Sequence, residues 1–257
     1  MAVQQSLATM TAINEVFTKE EDKMAGRGIE LSPQTYARTG GALYLMIIAA
    51  GMLGELLIRN RLVVPGDATA TLNNVKSFEF LWRLSIAANL FHLACSVALG
   101  LIFYVLLRPV SRDLALLAVM FNLVAITLES ASKLFLLPSL FVLGKASYLQ
   151  AFTPEQLHVL AYLSNKSHTY GFNFSLIFFG FECLLLGYLI FKSQFLPKVL
   201  GVLMQIAGVC YLTNSFALLL APTLVNIAVL IPAFIAELSL AVWLLVRGVN
   251  VQKWQPG

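Results

Sequence analysis

The residues best placed to do chemistry are Glu129 and Lys133, because both are charged and both lie in a long apolar run, residues 114–137. On an α-helix their spacing of four puts them on one face, with the acid N-terminal to the base, the order that favours an ion pair. Asn122, seven positions before Glu129, falls on the same face. Charge inside a bilayer is costly and marks a candidate functional site. The pair can act as a proton relay or a ligand counter-charge, or it can be a self-neutralised pair that fixes helix rotation.

Two further acids lie deep in later apolar runs. Glu182 and Glu237 fall about 20 Å below the predicted outer ends of their helices, at a rise of 1.5 Å per residue. Two such carboxylates can form a proton or cation site. A single glutamate can equally be protonated and hydrogen-bonded to a neighbouring helix.

The remaining candidates for a ligand or proton pathway are polar residues nearer the predicted outer surface. They are Glu55, His92, His168 and Asn173. Helical spacing places polar residues on stripes, as with His168, Ser175 and Glu182, which are seven positions apart each time. The stripes predict a polar, hydrated cavity that opens outward, with Glu129 and His168 at its mouth and the two deep acids toward its floor.

The predicted outer connections carry helix-start signals and two more candidates. Asp67 follows a Pro-Gly turn and is placed to cap a short helix. Arg83 lies near the outer surface, where a basic side chain either snorkels to the interface or binds an anionic head group. Thr153 begins a capping box with proline at the first helical position, which predicts a second helix start. Asn165 begins a glycosylation sequon.

Metal, haem and nucleophilic chemistry find little support in the sequence. The estimated depths of His92 and His168 differ by about 15 Å, which argues against a haem bridged between them. The zinc motif HExxH, the nucleophile elbow GxSxG and the Walker motif do not occur. We therefore predict no metal ligands, and we assign no catalytic residue and no cofactor.

The composition indicates a membrane protein. Of 257 residues, 59% are apolar and only 12% are charged, against about a quarter charged in soluble domains. The apolar residues form runs long enough to cross ~30 Å of hydrocarbon, and runs of this length and continuity satisfy their backbone as helices. No dense basic patch suggests nucleic-acid binding. The predicted fold is all-α, a six-transmembrane-helix bundle with short outer interfacial helices, and the predicted spans are residues 40–58, 82–107, 114–137, 168–191, 198–220 and 224–246.

The domain organisation and orientation follow from charge. Residues 1–35 are polar and of mixed charge, so we predict a tail there and a six-span domain over residues 36–254. Ten Lys and Arg residues fall on the side of the tail and six on the other, with Lys133 inside the membrane. This bias favours a cytoplasmic position for both termini.

Six short strings occur together in a characteristic order. They are Val64-Pro-Gly-Asp-Ala68, Tyr104-Val-Leu-Leu-Arg-Pro109, Phe178-Phe-Gly180, Leu186-Gly-Tyr-Leu189, Leu196-Pro-Lys-Val-Leu-Gly201 and Glu237-Leu-Ser-Leu-Ala-Val-Trp-Leu-Leu-Val-Arg-Gly248. The set resembles the bacterial integral-membrane family catalogued as domain of unknown function 4386, over about residues 36–254. The resemblance implies a six-span inner-membrane protein of a bacterium and assigns no activity. Asp67, His168, Gly171 and Glu237 match residues typical of that family, whereas the Glu129–Lys133 pair does not belong to its pattern.

Three functions are consistent with these features. The first is a protein that binds or moves a small molecule or ion through the outward-facing polar cavity. The second is an intramembrane enzyme that acts on lipid or isoprenoid with the histidine–carboxylate set. The third is an accessory subunit of a larger membrane complex, with buried charges that only set helix register. The expected partners are the lipid bilayer, a small molecule or ion, and other proteins, but not nucleic acid.

Overall fold

The computed structural model describes residues 32–254, apart from the side chains of Leu224 and Ile227. Most of the predicted tail, residues 1–31, lies outside the described residues. The first helix begins at Pro33, within the segment assigned to the tail, and proline is favoured at a first helical position.

Six helical segments are long and apolar enough to cross a membrane, and the described residues contain no strand. The prediction of an all-α, six-span protein is therefore confirmed. In chain order, the first to sixth spans are Pro33–Leu62, Glu79–Leu107, Arg112–Phe141, Pro154–Lys192, Lys198–Leu220 and Ala228–Val246.

The first span changes helix type near its end. Its α-helix, Pro33–Gly51, continues as a π-helix, Met52–Arg59, in which the N–H of Asn60 donates to the carbonyl of Glu55, five residues back. A π-helix shifts the angular position of every later side chain and is frequent at functional sites. The sequence gives no signal for this change, although the segment contains one of the predicted site residues.

Both helix-start signals in the connections are confirmed. The Asp67 carboxylate accepts from the N–H of Ala70 at 2.8 Å and begins the short helix Ala68–Ser77. Thr153 and Gln156 form the reciprocal capping box that begins the helix Pro154–Lys192. The third span ends in a 3₁₀ turn, Leu134–Leu136, and the short helix Pro138–Phe141, and the second connection contains a further 3₁₀ turn, Ser147–Ala151.

The fourth span starts much earlier than the predicted residue 168. It runs without interruption for 39 residues, about 58 Å at 1.5 Å per residue, so it must project beyond a ~30 Å hydrocarbon layer. The helix continues without interruption through Gly171. A Cβ at this position would lie 2.9 Å from the Cβ of Ser132, so the glycine lets the third and fourth spans approach closely. His168 consequently lies well inside a helix rather than at its beginning.

The sixth span is less regular than predicted. Its α-helix, Ile231–Val246, follows a 3₁₀ turn, Ile227–Leu230, and the side chain of Asn226 caps that turn by accepting from the N–H of Ala228. Asn226 therefore precedes the helix that carries Glu237.

The six spans close into a ring. Each span packs against its neighbours in the chain, and the sixth packs against the first. Backbones approach closely where glycines meet: a Cβ at Gly201 would lie 2.6 Å from the carbonyl oxygen of Gly187. Gln34 and Trp254, close to the two ends of the described chain, lie at one end of the bundle, which we call the inner end.

Two apolar clusters stabilise the ring. The larger fills the inner part of the bundle and includes Leu106, Leu189 and Leu244. The smaller surrounds Trp82 near the outer end, where the indole N–H donates to the carbonyl of Leu136 at 3.1 Å. The candidate site borders the larger cluster, because Tyr44, Leu99 and Phe103 belong to this cluster and also line a cavity within the ring.

Candidate functional site

A buried group of ionisable side chains joins four of the six spans. We call it the charge cluster, and its members are Glu55 and Arg59 from the first span, His92 from the second, Glu129 and Lys133 from the third and His168 from the fourth. The structure thus brings together five predicted site residues and one residue, Arg59, that was expected on the outer flank.

Lys133 lies at the centre of the charge cluster. Its ammonium is 2.8 Å from Oε1 of Glu55 and 3.2 Å from Oε1 of Glu129, and its side chain is 2% exposed. The ammonium also lies 4.9 Å from the centre of the Phe172 ring, a cation–π distance. The predicted pair of Glu129 and Lys133 forms, but Lys133 is shared with a carboxylate 78 positions away.

Arg59 completes the charge balance of the cluster. Its guanidinium lies 3.5 Å from Oε2 of Glu55 and donates to the hydroxyl of Thr169 at 2.8 Å and to the carbonyl of Asn165 at 3.3 Å. Two permanent bases therefore face two acids, so their formal charges cancel without a contribution from the histidines. Buried charges persist in a protein interior when they are paired and hydrogen-bonded in this way.

The two histidines lie at opposite ends of the charge cluster. Nδ1 of His168 is 3.2 Å from the carbonyl of Ser132, and Nε2 is 3.2 Å from Glu55. Because both partners accept hydrogen bonds, a neutral imidazole can satisfy just one of them. His92 is 3.7 Å from Glu129, beyond hydrogen-bond distance.

The expected difference in depth between the two histidines is wrong. It assumed that the fourth helix begins at residue 168, whereas the helix begins at Pro154. His92 and His168 are instead connected through Glu129, Lys133 and Glu55. Within residues 32–254, no group of three or more His, Cys, Asp or Glu side chains is arranged to hold a metal ion.

A cavity of about 300 Å³ lies within the ring and has wall residues from all six spans. We call it the central cavity. His92 and Glu129 line it on the side of the charge cluster, and Glu182 and Glu237 line it nearer the inner end. The positions of these residues along their helices agree with this order. Glu129 is about 25 Å and Glu182 about 15 Å from the inner ends of their helices.

The wall of the central cavity differs from the polar cavity that the stripes predicted. Ser96, Asn122 and Ser175 do line it, but aliphatic and aromatic side chains such as Leu99 and Phe234 form most of the wall. The polar stripes are narrow, because each helix has only one polar residue in every one or two turns. The apolar residues beside them also face the central cavity. The cavity is therefore apolar in its body and acidic near its inner end.

The two inner acids have uncharged hydrogen-bond partners. Both oxygens of Glu182 accept from the amide of Asn122, at 3.0 and 2.9 Å, and Glu237 accepts from the hydroxyl of Tyr211. Glu182 is 3% exposed and Glu237 is 8% exposed. Among the described residues, no Lys, Arg or His forms an ion pair with either acid. These acids thus differ in kind from those of the charge cluster.

The three other predicted site residues have structural contacts outside the central cavity. Asn173 accepts from the amide of Asn214 at 3.0 Å and joins the fourth and fifth spans. Asp67 is a helix cap. Arg83 forms an exposed ion pair with Glu79, at 2.7 Å, four positions away.

Two residues of the site were missed by sequence reasoning. Arg59 had a usable signal, since it follows Glu55 at the same spacing of four that singled out Glu129 and Lys133. Tyr211 had no such signal, because an aromatic residue in an apolar helix usually packs against other apolar side chains. Its role depends on the contact of its hydroxyl with a carboxylate, which the sequence does not show.

Comparison with known proteins places the chain among uncharacterised relatives. The family model described as Domain of unknown function (DUF4386) matches residues 39–248. An "Uncharacterized protein" of Archaeoglobus fulgidus is 29% identical over 152 residues, which is 59% of this chain and 76% of that protein. No solved structure matches significantly.

Proposed function

The chain belongs to the family described as Domain of unknown function (DUF4386), and from that premise we propose that it binds a small molecule or ion in the central cavity and moves it across a membrane. The observation that carries this proposal is a cavity enclosed by six membrane-spanning helices, with two buried acids that lack a basic partner among the described residues.

The size and chemistry of the central cavity support a binding role. Ligand sites range from about 300 to 1,000 Å³ and are mostly apolar, with a few polar groups that fix orientation. The central cavity, at about 300 Å³, falls at the lower limit of this range, and its wall is likewise mostly apolar with a few polar groups. Its ligand is therefore small and mostly apolar, with one polar or charged group.

We place the entrance at the outer end of the bundle. On the inner side of the cavity, the large apolar cluster must separate before a ligand can pass. On the outer side, the barrier consists of the ion pairs of the charge cluster and the small cluster around Trp82. Ion pairs can be exchanged for contacts with water when a helix moves, so the outer barrier is the easier to open.

We place the protein in the inner membrane of a bacterium with both termini in the cytoplasm. Because Arg59 is buried in the charge cluster, the six basic residues counted on the outer side reduce to five, against ten on the inner side. The larger asymmetry supports this orientation. A fluorescent protein fused after Gly257 should fold and emit in living bacteria, whereas a dark fusion with full expression would contradict the orientation.

The test of the function is native mass spectrometry, with elemental analysis, on protein extracted in mild detergent. We expect a bound molecule or ion in the wild type and its loss in the double variant Glu182→Gln with Glu237→Gln. The matched control is Glu79→Gln, which neutralises an exposed acid outside the cavity. A double variant that binds and transports as well as the wild type would contradict the proposal.

An accessory role in a larger complex is the second candidate, because one observation favours it. The charge cluster is balanced within itself and so needs no ligand. This role predicts stoichiometric co-purification with partner proteins, and a stable, isolated chain would count against it. The enzyme alternative relies on His92 and Glu129, which line the central cavity, whereas His168 does not.

A further inference from the structure

The negative charge near the central cavity is unevenly compensated. The acids of the charge cluster meet Lys133 and Arg59, whereas Glu182 and Glu237 meet uncharged donors, among them Asn122 and Tyr211. Carboxylates in surroundings of low polarity require either protons or a cation. The inner part of the central cavity is therefore neutralised either by protons or by a ligand that brings positive charge.

A second observation concerns the side-chain oxygen of Asn122, a hydrogen-bond acceptor that has no donor among the described residues. Asn122 lines the central cavity, is 6% exposed, and uses its amide nitrogen on Glu182. Its Oδ1 is buried and has no hydrogen-bond partner among the described residues. This oxygen packs against Gly100, where a Cβ would lie only 2.7 Å from it. A ligand that donates N–H groups can satisfy this oxygen together with the two carboxylates.

Aromatic side chains provide the wall beside the acids. Tyr44 and Phe103 meet edge to face at 6.0 Å between ring centres, and Phe179 and Tyr211 do so at 5.1 Å. All four line the central cavity. Aromatic walls attract organic cations through their ring faces. A metal cation instead needs a close shell of oxygen ligands, which a largely apolar wall does not supply.

We propose that the central cavity takes a protonated organic amine with a compact apolar body. The ammonium group lies near Glu182 and Glu237, with Oδ1 of Asn122 as a further acceptor, and the body packs against the aromatic wall. This inference rests on the proposed binding function and names the chemical class of its ligand.

Three compounds of one shape test the inference: 1-adamantanamine, 1-adamantanol and adamantane-1-carboxylate. At pH 7 the amine is protonated and the acid is ionised, so the three differ mainly in charge. Binding is measured by calorimetry on the full chain in lipid nanodiscs, with protein-free nanodiscs as the blank for partition into lipid. We expect the amine to bind at least about tenfold more tightly than the alcohol, and the carboxylate not to bind.

Variants then assign the preference to the inner acids. We expect Glu182→Gln with Glu237→Gln to abolish the preference for the amine while alcohol binding persists, and Glu79→Gln to leave the preference unchanged. If the double variant does not fold, each single variant should reduce the preference, and the wild-type comparison of the three compounds stands by itself.

The possible failures are distinguishable. Equal binding of amine and alcohol, or tighter binding of the carboxylate, would overturn the cationic ligand and leave the binding function standing. Retention of the amine preference in the double variant would overturn the role of the inner acids. If none of the three compounds binds, the amine inference is overturned, and an empty wild-type protein in native mass spectrometry would overturn the binding function as well.

Discussion

The replacement of Lys133 by methionine is the sharpest test of the charge cluster. Methionine keeps much of the length of the side chain and removes the ammonium. Glu129 is then left with His92 at 3.7 Å, and Glu55 is left with His168 at 3.2 Å and the Arg59 guanidinium at 3.5 Å. The substitution therefore leaves a buried carboxylate, Glu129, without a permanent counter-charge.

The burial of an ion pair, rather than the distance between its charged atoms, sets the expected loss in the free energy of unfolding. Removal of one partner from a buried ion pair costs about 3–5 kcal/mol, because the other charge remains buried and uncompensated. The pair of Arg83 and Glu79 is at least as short, at 2.7 Å, and also spans four positions, but both side chains are exposed. Such exposed pairs contribute about 0–1 kcal/mol. Arg83→Met is thus the matched control.

The assay is reversible unfolding in mixed micelles, with the helical signal followed by circular dichroism. We expect Lys133→Met to lower the free energy of unfolding by about 3–5 kcal/mol and Arg83→Met to lower it by less than about 1 kcal/mol. Adding Glu129→Gln to Lys133→Met removes the uncompensated charge, so the double variant should recover part of the loss.

Equal, small losses for Lys133→Met and Arg83→Met would refute the reasoning, since they would mean that water reaches the charge cluster. The double variant also separates the two interpretations of the pair of Glu129 and Lys133. If it is stable and inactive in transport, the pair serves as a relay or counter-charge; if it is stable and active, the pair is structural.

Three further predictions follow from packing and burial. Gly201→Ala should destabilise the protein because the new methyl group would meet the backbone of the fourth span, whereas Gly51→Ala, with open space around it, should not; thermal unfolding in detergent compares them. Trp82→Phe should lower the free energy of unfolding by about 1–3 kcal/mol, because a buried carbonyl loses its donor, and a loss below 0.5 kcal/mol, taken as about the scatter between unrelated sites, would contradict this. Asn165, which is buried, should remain unglycosylated after expression in eukaryotic cells, and a mass shift reversed by a glycosidase would show the helix to be open there.

The parts of the fold that depend on neighbouring residues could be predicted from the sequence. Long apolar runs identify the six spans because lipid requires about 20 apolar residues for each crossing. Asp67 and Thr153 identify helix starts because a cap bonds to the backbone two or three residues away. The main error in these local predictions is the start of the fourth span. The first four turns of its helix contain polar residues, so hydropathy did not identify the part that begins at Pro154.

The partners of the site residues could not be predicted in the same way. Glu129 and Lys133 were paired correctly because they are four positions apart on one helix. Glu55 joins Lys133 across 78 positions, and Glu182 joins Asn122 across 60. Contacts of that kind depend on how each helix is rotated, and the π-helix Met52–Arg59 changes that rotation without a sequence signal.

Hydropathy and capping act locally along the chain, so these patterns were sufficient to identify a six-span helical membrane protein with ionisable residues inside it. Which of those residues are neutralised followed from the packing of the helices alone. Lys133 and Arg59 reach Glu55, whereas no described base pairs with Glu182 or Glu237. The physical reason is that ring closure and helix rotation bring together side chains from distant parts of the chain, and the charge of a site is a sum over those neighbours.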